Sequence, residues 1–353
     1  MKVLIIQNKR IGDVLLTSVL AENIKKNYPD SIVHFFCYDY TVPVIRYNIF
    51  IDQIISVDAQ SLKKIPVLLK YCRKVKRENY DLILDPYAKF QSKLMCYLSG
   101  ATKTAGFIRK VKKTSFQPYT IKVPYKSSST MDCGKTLDDR VSLCDAALPL
   151  KTKIYQPKIY LEELEQPQNK TETKPIIIIG VLGSTPSKSL PKETMADIIN
   201  RTIKSFPDHQ IVFNYAPHQK QEAAEIYDLI ENKKAVNEDA YEPDLDKFLH
   251  LLKEADVLVS NEGGAVHMAK ALEVPTFTIF SPFIDKATWN SFENLPIHTS
   301  IHLRDQRPDL YQNVDRKSMK KIESEPIHYY RQLDANMIWH KLGPYLNLIL
   351  KQD

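Results

Sequence analysis

The chain has nine glycines in 353 residues, so the few loops that hold two of them stand out. No apolar run reaches the roughly 18 residues that a membrane-spanning helix requires, and mean hydropathy is −0.32; an integral helical membrane protein is excluded. No G-x-G-x-x-G occurs, which argues against a nicotinamide or flavin dehydrogenase. The cysteines, Cys37, Cys72, Cys96, Cys133 and Cys144, are odd in number and lack C-x-x-C spacing, so neither a disulfide framework nor a zinc site is expected, and a reducing cytoplasm is the expected compartment. The nine histidines show no paired ligand spacing, and no metal or cofactor is expected. Met1 to Gln7 is apolar but stops at Lys9 and Arg10 without a small-residue cleavage site, and reads as a strand rather than a secretion signal.

What is present is an ordinary globular balance, 43% hydrophobic and 26% charged, long enough for two domains. The charge is uneven. Residues 1–170 carry 28 Lys and Arg against 16 Asp and Glu, a surplus of +12, whereas residues 171–353 carry 21 against 26, a net −5. A basic half suits nucleic acid, an anionic membrane face or a phosphorylated substrate, and charge alone does not choose among them.

Short β-branched runs at Lys2 to Gln7, Ser31 to Tyr38, Gln53 to Asp58 and Asp81 to Asp85 alternate with helical segments such as Asp13 to Asn27 and Leu62 to Glu78, read as amphipathic. The alternation restarts at Ile176 to Val181, Gln210 to Tyr215, Asp256 to Ser260 and Thr276 to Phe280. The expected fold class is therefore α/β, two Rossmann-like doubly wound parallel-sheet domains facing a cleft. Residues 1–160 form the first, the polar, Pro-bounded stretch 161–175 a linker and 176–330 the second; 331–353, containing the helical pattern Ala335 to Leu350, is expected to pack back across the domains.

In open parallel sheets ligands bind beyond the carboxyl ends of strands, and three loops there are candidates. In Gln7 to Asp13 (Q-N-K-R-I-G-D), Asp13 is either a helix N-cap or a carboxylate able to take a proton from a substrate hydroxyl. In Gly180 to Lys188 (G-V-L-G-S-T-P-S-K), backbone amides, hydroxyls and an ammonium make either a phosphate cradle or a solvated turn. In Ser260 to Ala269 (S-N-E-G-G-A-V-H-M-A), two glycines open a helix whose first amides suit an anion; the alternative is a tight structural turn. Cys133 to Thr136 (C-G-K-T) is not a phosphate loop, because Ser129 stands where its first glycine belongs. Asp244 and Asp246 form a D-x-D pattern, but after Pro243 helix capping explains them.

Five motifs, in order and spacing, resemble glycosyltransferase family 9, the ADP-heptose:lipopolysaccharide heptosyltransferases of GT-B architecture: K-V-L-I-I-Q-N-K-R-I-G-D-V-L-L-T at 2–17, Y-D-L-I-L-D through A-G-F between 80 and 107, L-G-S-T-P-S-K-S-L-P at 182–191, A-P-H-Q-K-Q-E-A at 216–223 and V-S-N-E-G-G-A-V-H-M-A-K-A-L-E-V-P-T at 259–276. The resemblance implies an inverting, metal-independent transferase that moves a sugar, heptose from ADP-heptose, to a lipopolysaccharide core or related surface glycan. It implies Asp13 as general base. Ser184, Thr185 and Lys188 would neutralise the donor diphosphate. Glu262, Gly263, Gly264, Ala265 and His267 would grip diphosphate and sugar, with Glu222 near the nucleotide. The implied acceptor is an anionic glycolipid or oligosaccharide at the cytoplasmic face of the inner membrane, for which Lys9, Arg10, Lys63, Lys64, Arg109, Lys110, Lys112 and Lys113 are candidate ligands, with peripheral membrane contact. Nucleic acid is not an expected partner, since no stacking motif or domain signature accompanies the charge. Glu262, Gly263, Ala265 and Leu190 depart from the family's Asp, Ser/Thr, Pro and aromatic, which bears on the sugar rather than on the reaction class. The alternatives are a non-catalytic nucleotide-sugar-binding module or a member using another nucleotide sugar.

Overall fold

A computed structural model describes residues 1–108, 116–162, 174–312 and 314–351. Its contacts divide the chain into two units, Met1–Glu162 with Ala287–Ser291, and Glu163–Lys286 with Phe292–Asp353.

The first unit is built on six parallel strands: β1 (Lys2–Ile6), β2 (Ile32–Tyr38), β3 (Gln53–Val57), β4 (Leu82–Asp85), β5 (Lys103–Ile108) and β6 (Ile121–Pro124), in the order 3-2-1-4-5-6. Strands β1 and β4 are buried along nearly their whole length, as expected of central strands covered on both faces. The helices are α1 (Ile11–Asn27), α2 (Ile65–Arg77), α3 (Phe90–Leu98) and α4 (Lys135–Ala147). Helix α1 corrects the amphipathic expectation. Every residue from Gly12 to Ile24 is buried, because α4 and the 3-10 turn Asp39–Ile45 cover what the sheet leaves. Helix α2 does show one apolar stripe, Leu68, Cys72 and Val75, at helical spacing.

The second unit repeats the plan with β7 (Ile176–Gly180), β8 (Gln210–Asn214), β9 (Val257–Asn261), β10 (Thr276–Ile279) and β11 (His298–Ile301), all parallel, in the order 8-7-9-10-11. Its helices include α5 (Lys192–Ser205), α6 (Lys220–Asp228), α7 (Leu245–Lys253) and α8 (Gly264–Ala271). The final helix, Ala335–Leu350, buries Ile338, Leu342 and Leu346 in this unit's core beside α5 and β11. The two units share a device: Asp81, just before β4, accepts from the Lys2 amide at 2.7 Å, and Asp256, just before β9, accepts from the Ile176 amide at 2.7 Å. Each thereby fixes the entry register of its central strand pair. Asp244 is the N-cap of α7, accepting from the Lys247 amide at 3.1 Å. The five cysteines are buried thiols. No described helix is long and apolar enough to cross a membrane.

Candidate functional site

In each sheet the order reverses direction once, between β1 and β4 and between β7 and β9. The loops leaving those strands diverge and open a crevice.

In the first unit the crevice is a cavity of about 500 Å³. Asp13 lines it from the first turn of α1. The capping expectation fails here: the N-cap residue is Arg10 and no side chain caps the helix. Asp13 Oδ1 instead meets Lys9 Nζ and Arg140 Nη2, each at 3.1 Å. Arg140 is buried, and loss of hydration lowers its pKa while the Asp13 charge opposes that shift. Its Nε donates to Thr17 Oγ1 at 2.7 Å, its Nη1 donates to the Thr136 carbonyl, and Thr17 Oγ1 in turn donates to the Asp13 carbonyl at 2.8 Å. A buried guanidinium with each nitrogen bonded holds one orientation, and with it the carboxylate.

Three further lysines, Lys89, Lys93 and Lys135, line the cavity, giving it an anion-attracting wall. Lys135 is paired with Asp139 at 2.6 Å. Aromatic surface is supplied by Tyr87, Phe107, Tyr125 and Trp289; Phe107 and Tyr125 stack at 4.2 Å, and Lys9 Nζ lies 5.8 Å from the Trp289 ring centre. The loop Pro86–Lys89 is fixed from below. Asp85 is fully buried, accepts from Tyr119 Oη at 2.6 Å and from the Ala88 amide at 2.9 Å, and burial pushes its carboxyl up to about 6. Ala88 is held at φ 50°, a conformation costly for a residue with a Cβ.

In the second unit the loop after β7 and the start of α8 meet at the switch point. Lys188 Nζ pairs with Glu262 Oε1 at 2.8 Å, and Ser281 Oγ donates to the same oxygen at 3.2 Å. Asn261 ties the two flanks together, accepting from the Leu190 amide at 3.0 Å and donating to the Gly180 carbonyl at 3.1 Å. A Cβ on Gly183 would run into the backbone of Lys188, so the loop's tight return needs that glycine. Gly263 precedes α8 in an extended conformation with open space where a Cβ would stand; Gly264, Ala265 and His267 belong to the helix. Ser184 is exposed and Thr185 half-buried, its Oγ1 3.1 Å from Ser187 Oγ. Glu222 stands exposed in the first turn of α6, three residues after Gln219, whose Nε2 donates to the Gly183 carbonyl at 2.8 Å. Among the described residues no cluster of three His, Cys, Asp or Glu could hold a metal ion.

The structure thus gathers Lys188 with Glu262, and Asp13 with Lys9. Of the other acceptor candidates, Arg10, Lys63 and Lys64 are exposed and do not line the cavity; Lys63 bonds Gln60 at 2.8 Å. Arg109, Lys110, Lys112 and Lys113 lie outside the described residues. Arg140, Lys89, Lys93, Lys135 and Trp289 were not legible as site residues in the sequence.

The model of glycosyltransferase family 9 (heptosyltransferase) matches residues 68–314. Lipopolysaccharide heptosyltransferase 1 of Campylobacter coli is 24% identical over 294 residues, 79% of this chain and 84% of its own length. Among solved structures, E. coli heptosyltransferase WaaC with ADP matches with a TM-score of 0.71 at 16% identity, covering 98% of this chain and 100% of that one. E. coli ADP-heptose lps heptosyltransferase II matches at 0.69 and 16% identity, covering 94% and 99%. The two parallel-sheet α/β units are those of the GT-B fold.

Proposed function

The chain belongs to glycosyltransferase family 9, and from that premise we propose that it transfers heptose from ADP-heptose to an anionic acceptor of the lipopolysaccharide core, inverting the anomeric centre without a divalent metal. The observation that carries this reading is Asp13, a carboxylate fixed by Arg140 and Lys9 in a cation-rich cavity large enough for a sugar. As the acceptor hydroxyl attacks the anomeric carbon, its proton passes to Asp13, while the bond from that carbon to the diphosphate oxygen breaks. The negative charge that develops on the departing ADP is met by Lys188 and the first amides of α8, whose attraction grows toward the transition state. That positive potential does what a metal ion does in other transferases. The relatives named above support donor and acceptor, and the reaction would take place at the cytoplasmic face of the inner membrane.

The test is release of nucleoside diphosphate from a panel of nucleotide sugars, with and without a deep-core glycolipid, in the presence of chelator. ADP-heptose is expected to be the donor whose turnover the acceptor stimulates. Asp13→Asn is expected to lower turnover at least ~100-fold while leaving ADP affinity near wild type. Equal release with and without acceptor would sink the transfer reading, and loss of turnover with chelator its metal independence.

A further inference from the structure

Helix α3 starts at the cavity rim, where Lys89 and Lys93 line the wall, and turns an aromatic stripe outward. Phe90 and Tyr97, seven residues apart and so on one face, are 68% and 64% exposed. Lys93 lies between them on that face. Phe116, 46% exposed, packs edge-on against Tyr97 at 5.5 Å between ring centres, and its carbonyl accepts from Lys93 Nζ at 3.1 Å. Exposed aromatics scattered singly are ordinary. Here three share one patch threaded by lysine, in the half of the chain that carries the +12 surplus.

We propose that this face, Phe90, Tyr97 and Phe116 with Lys89 and Lys93, is where the protein lies on an anionic lipid bilayer. Aromatic rings favour the boundary between headgroups and acyl chains, and lysine ammonium groups favour the lipid phosphates beside it. Lys89 and Lys93, which flank Phe90 on α3, line the cavity that holds Asp13, so adsorption through this face brings the wall they form to the membrane surface. A lipid-anchored acceptor then enters without leaving its leaflet. That consequence rests on the acceptor reading above; adsorption itself does not.

The full-length chain is sedimented with vesicles of phosphatidylcholine alone and of phosphatidylcholine mixed with phosphatidylglycerol. Wild type is expected to pellet with the mixed vesicles, and less so as salt is raised. The double variant F90S/Y97S, altered at two exposed positions, is expected to bind them at least ~10-fold more weakly with an unchanged melting temperature. Its turnover on a delipidated, water-soluble acceptor should match wild type, while turnover on vesicle-borne acceptor falls. Wild type that stays in the supernatant with anionic vesicles, or a double variant that pellets equally, overturns the proposal. So does a self-association that F90S/Y97S abolishes, which would assign the face to a second copy of the chain. Vesicle binding without sugar transfer would leave this face standing and remove the transferase reading alone.

Discussion

Arg140 Nη2 and Asp13 Oδ1 stand 3.1 Å apart although 127 residues separate them in the chain. The contact joins α1 to α4 and sets the direction of the carboxylate on the cavity wall. Removing the guanidinium by Arg140→Ala leaves Asp13 with Lys9 alone and strips a buried ion of its partner. We expect a stability loss of roughly 2–4 kcal/mol and a fall of about 5–10 °C in melting temperature. Arg140→Lys keeps the charge but cannot reach Thr17 and Asp13 together; kcat should fall ~10-fold with a smaller thermal shift. Wild-type kcat in Arg140→Lys would show that the fork does not position the base.

Lys188 is neutralised by Glu262 at 2.8 Å, so an incoming diphosphate competes with a carboxylate for the ammonium. Glu262→Gln should therefore bind ADP several-fold more tightly, with a steeper salt dependence, and Lys188→Ala at least ~10-fold more weakly, the scale of a charge-assisted contact. Calorimetric titration with ADP decides both signs. Unchanged affinity in Lys188→Ala would remove the phosphate role.

Asp85 offers a pH test. Because burial holds its carboxyl at about 6, above the ordinary carboxylate value, the folded state keeps a proton that the unfolded chain has already released. Its contribution to stability accordingly falls as pH rises from about 4 to 6 and is level above that, by roughly 3 kcal/mol in all. In Asp85→Asn, whose Oδ1 can accept from the Ala88 amide while its Nδ2 donates to Tyr119 Oη, urea midpoints should lack this part of the slope. An identical slope in the variant would contradict the assignment.

Trp289 places an indole at the cavity wall and beneath Lys9. Trp289→Ala removes a flat apolar surface suited to a sugar ring and a cation–π contact. We expect acceptor KM to rise ~3–10-fold with ADP affinity unchanged. A rise in donor KM alone would move Trp289 out of the acceptor cavity.

The strands with β-branched runs were legible because a parallel strand covered on both faces is written as a run of apolar residues. Strand β11, His298–Ile301, was not. Its His298 and Ser300 are buried because each finds a partner, His298 with Thr276 and Ser300 with Glu293. The glycine-rich loops marked the second unit's candidate site in the sequence, but only Gly183 there is dictated by close backbone approach, whereas Gly263 has open space around it. The first unit's cations announced themselves less well. Lys63 and Lys64, candidate acceptor ligands in the sequence, are exposed away from the cavity, whereas Lys89 and Lys93 of the α3 region and Lys135 of α4 converge on it only when the two helices meet the sheet. Arg140 was hidden for the same reason: nothing local distinguishes a helix arginine paired within its turn from one paired across the fold.

Helix α1 is enclosed on all sides from Gly12 to Ile24, so its amides should be among the slowest in the protein to exchange with deuterium. Asp13, the proton acceptor in the proposed reaction, is thus rooted in an enclosed stretch of backbone. Under the proposed reaction, discrimination between one acceptor and another would fall to the lysine and tryptophan side chains around it, which can change without disturbing that anchorage.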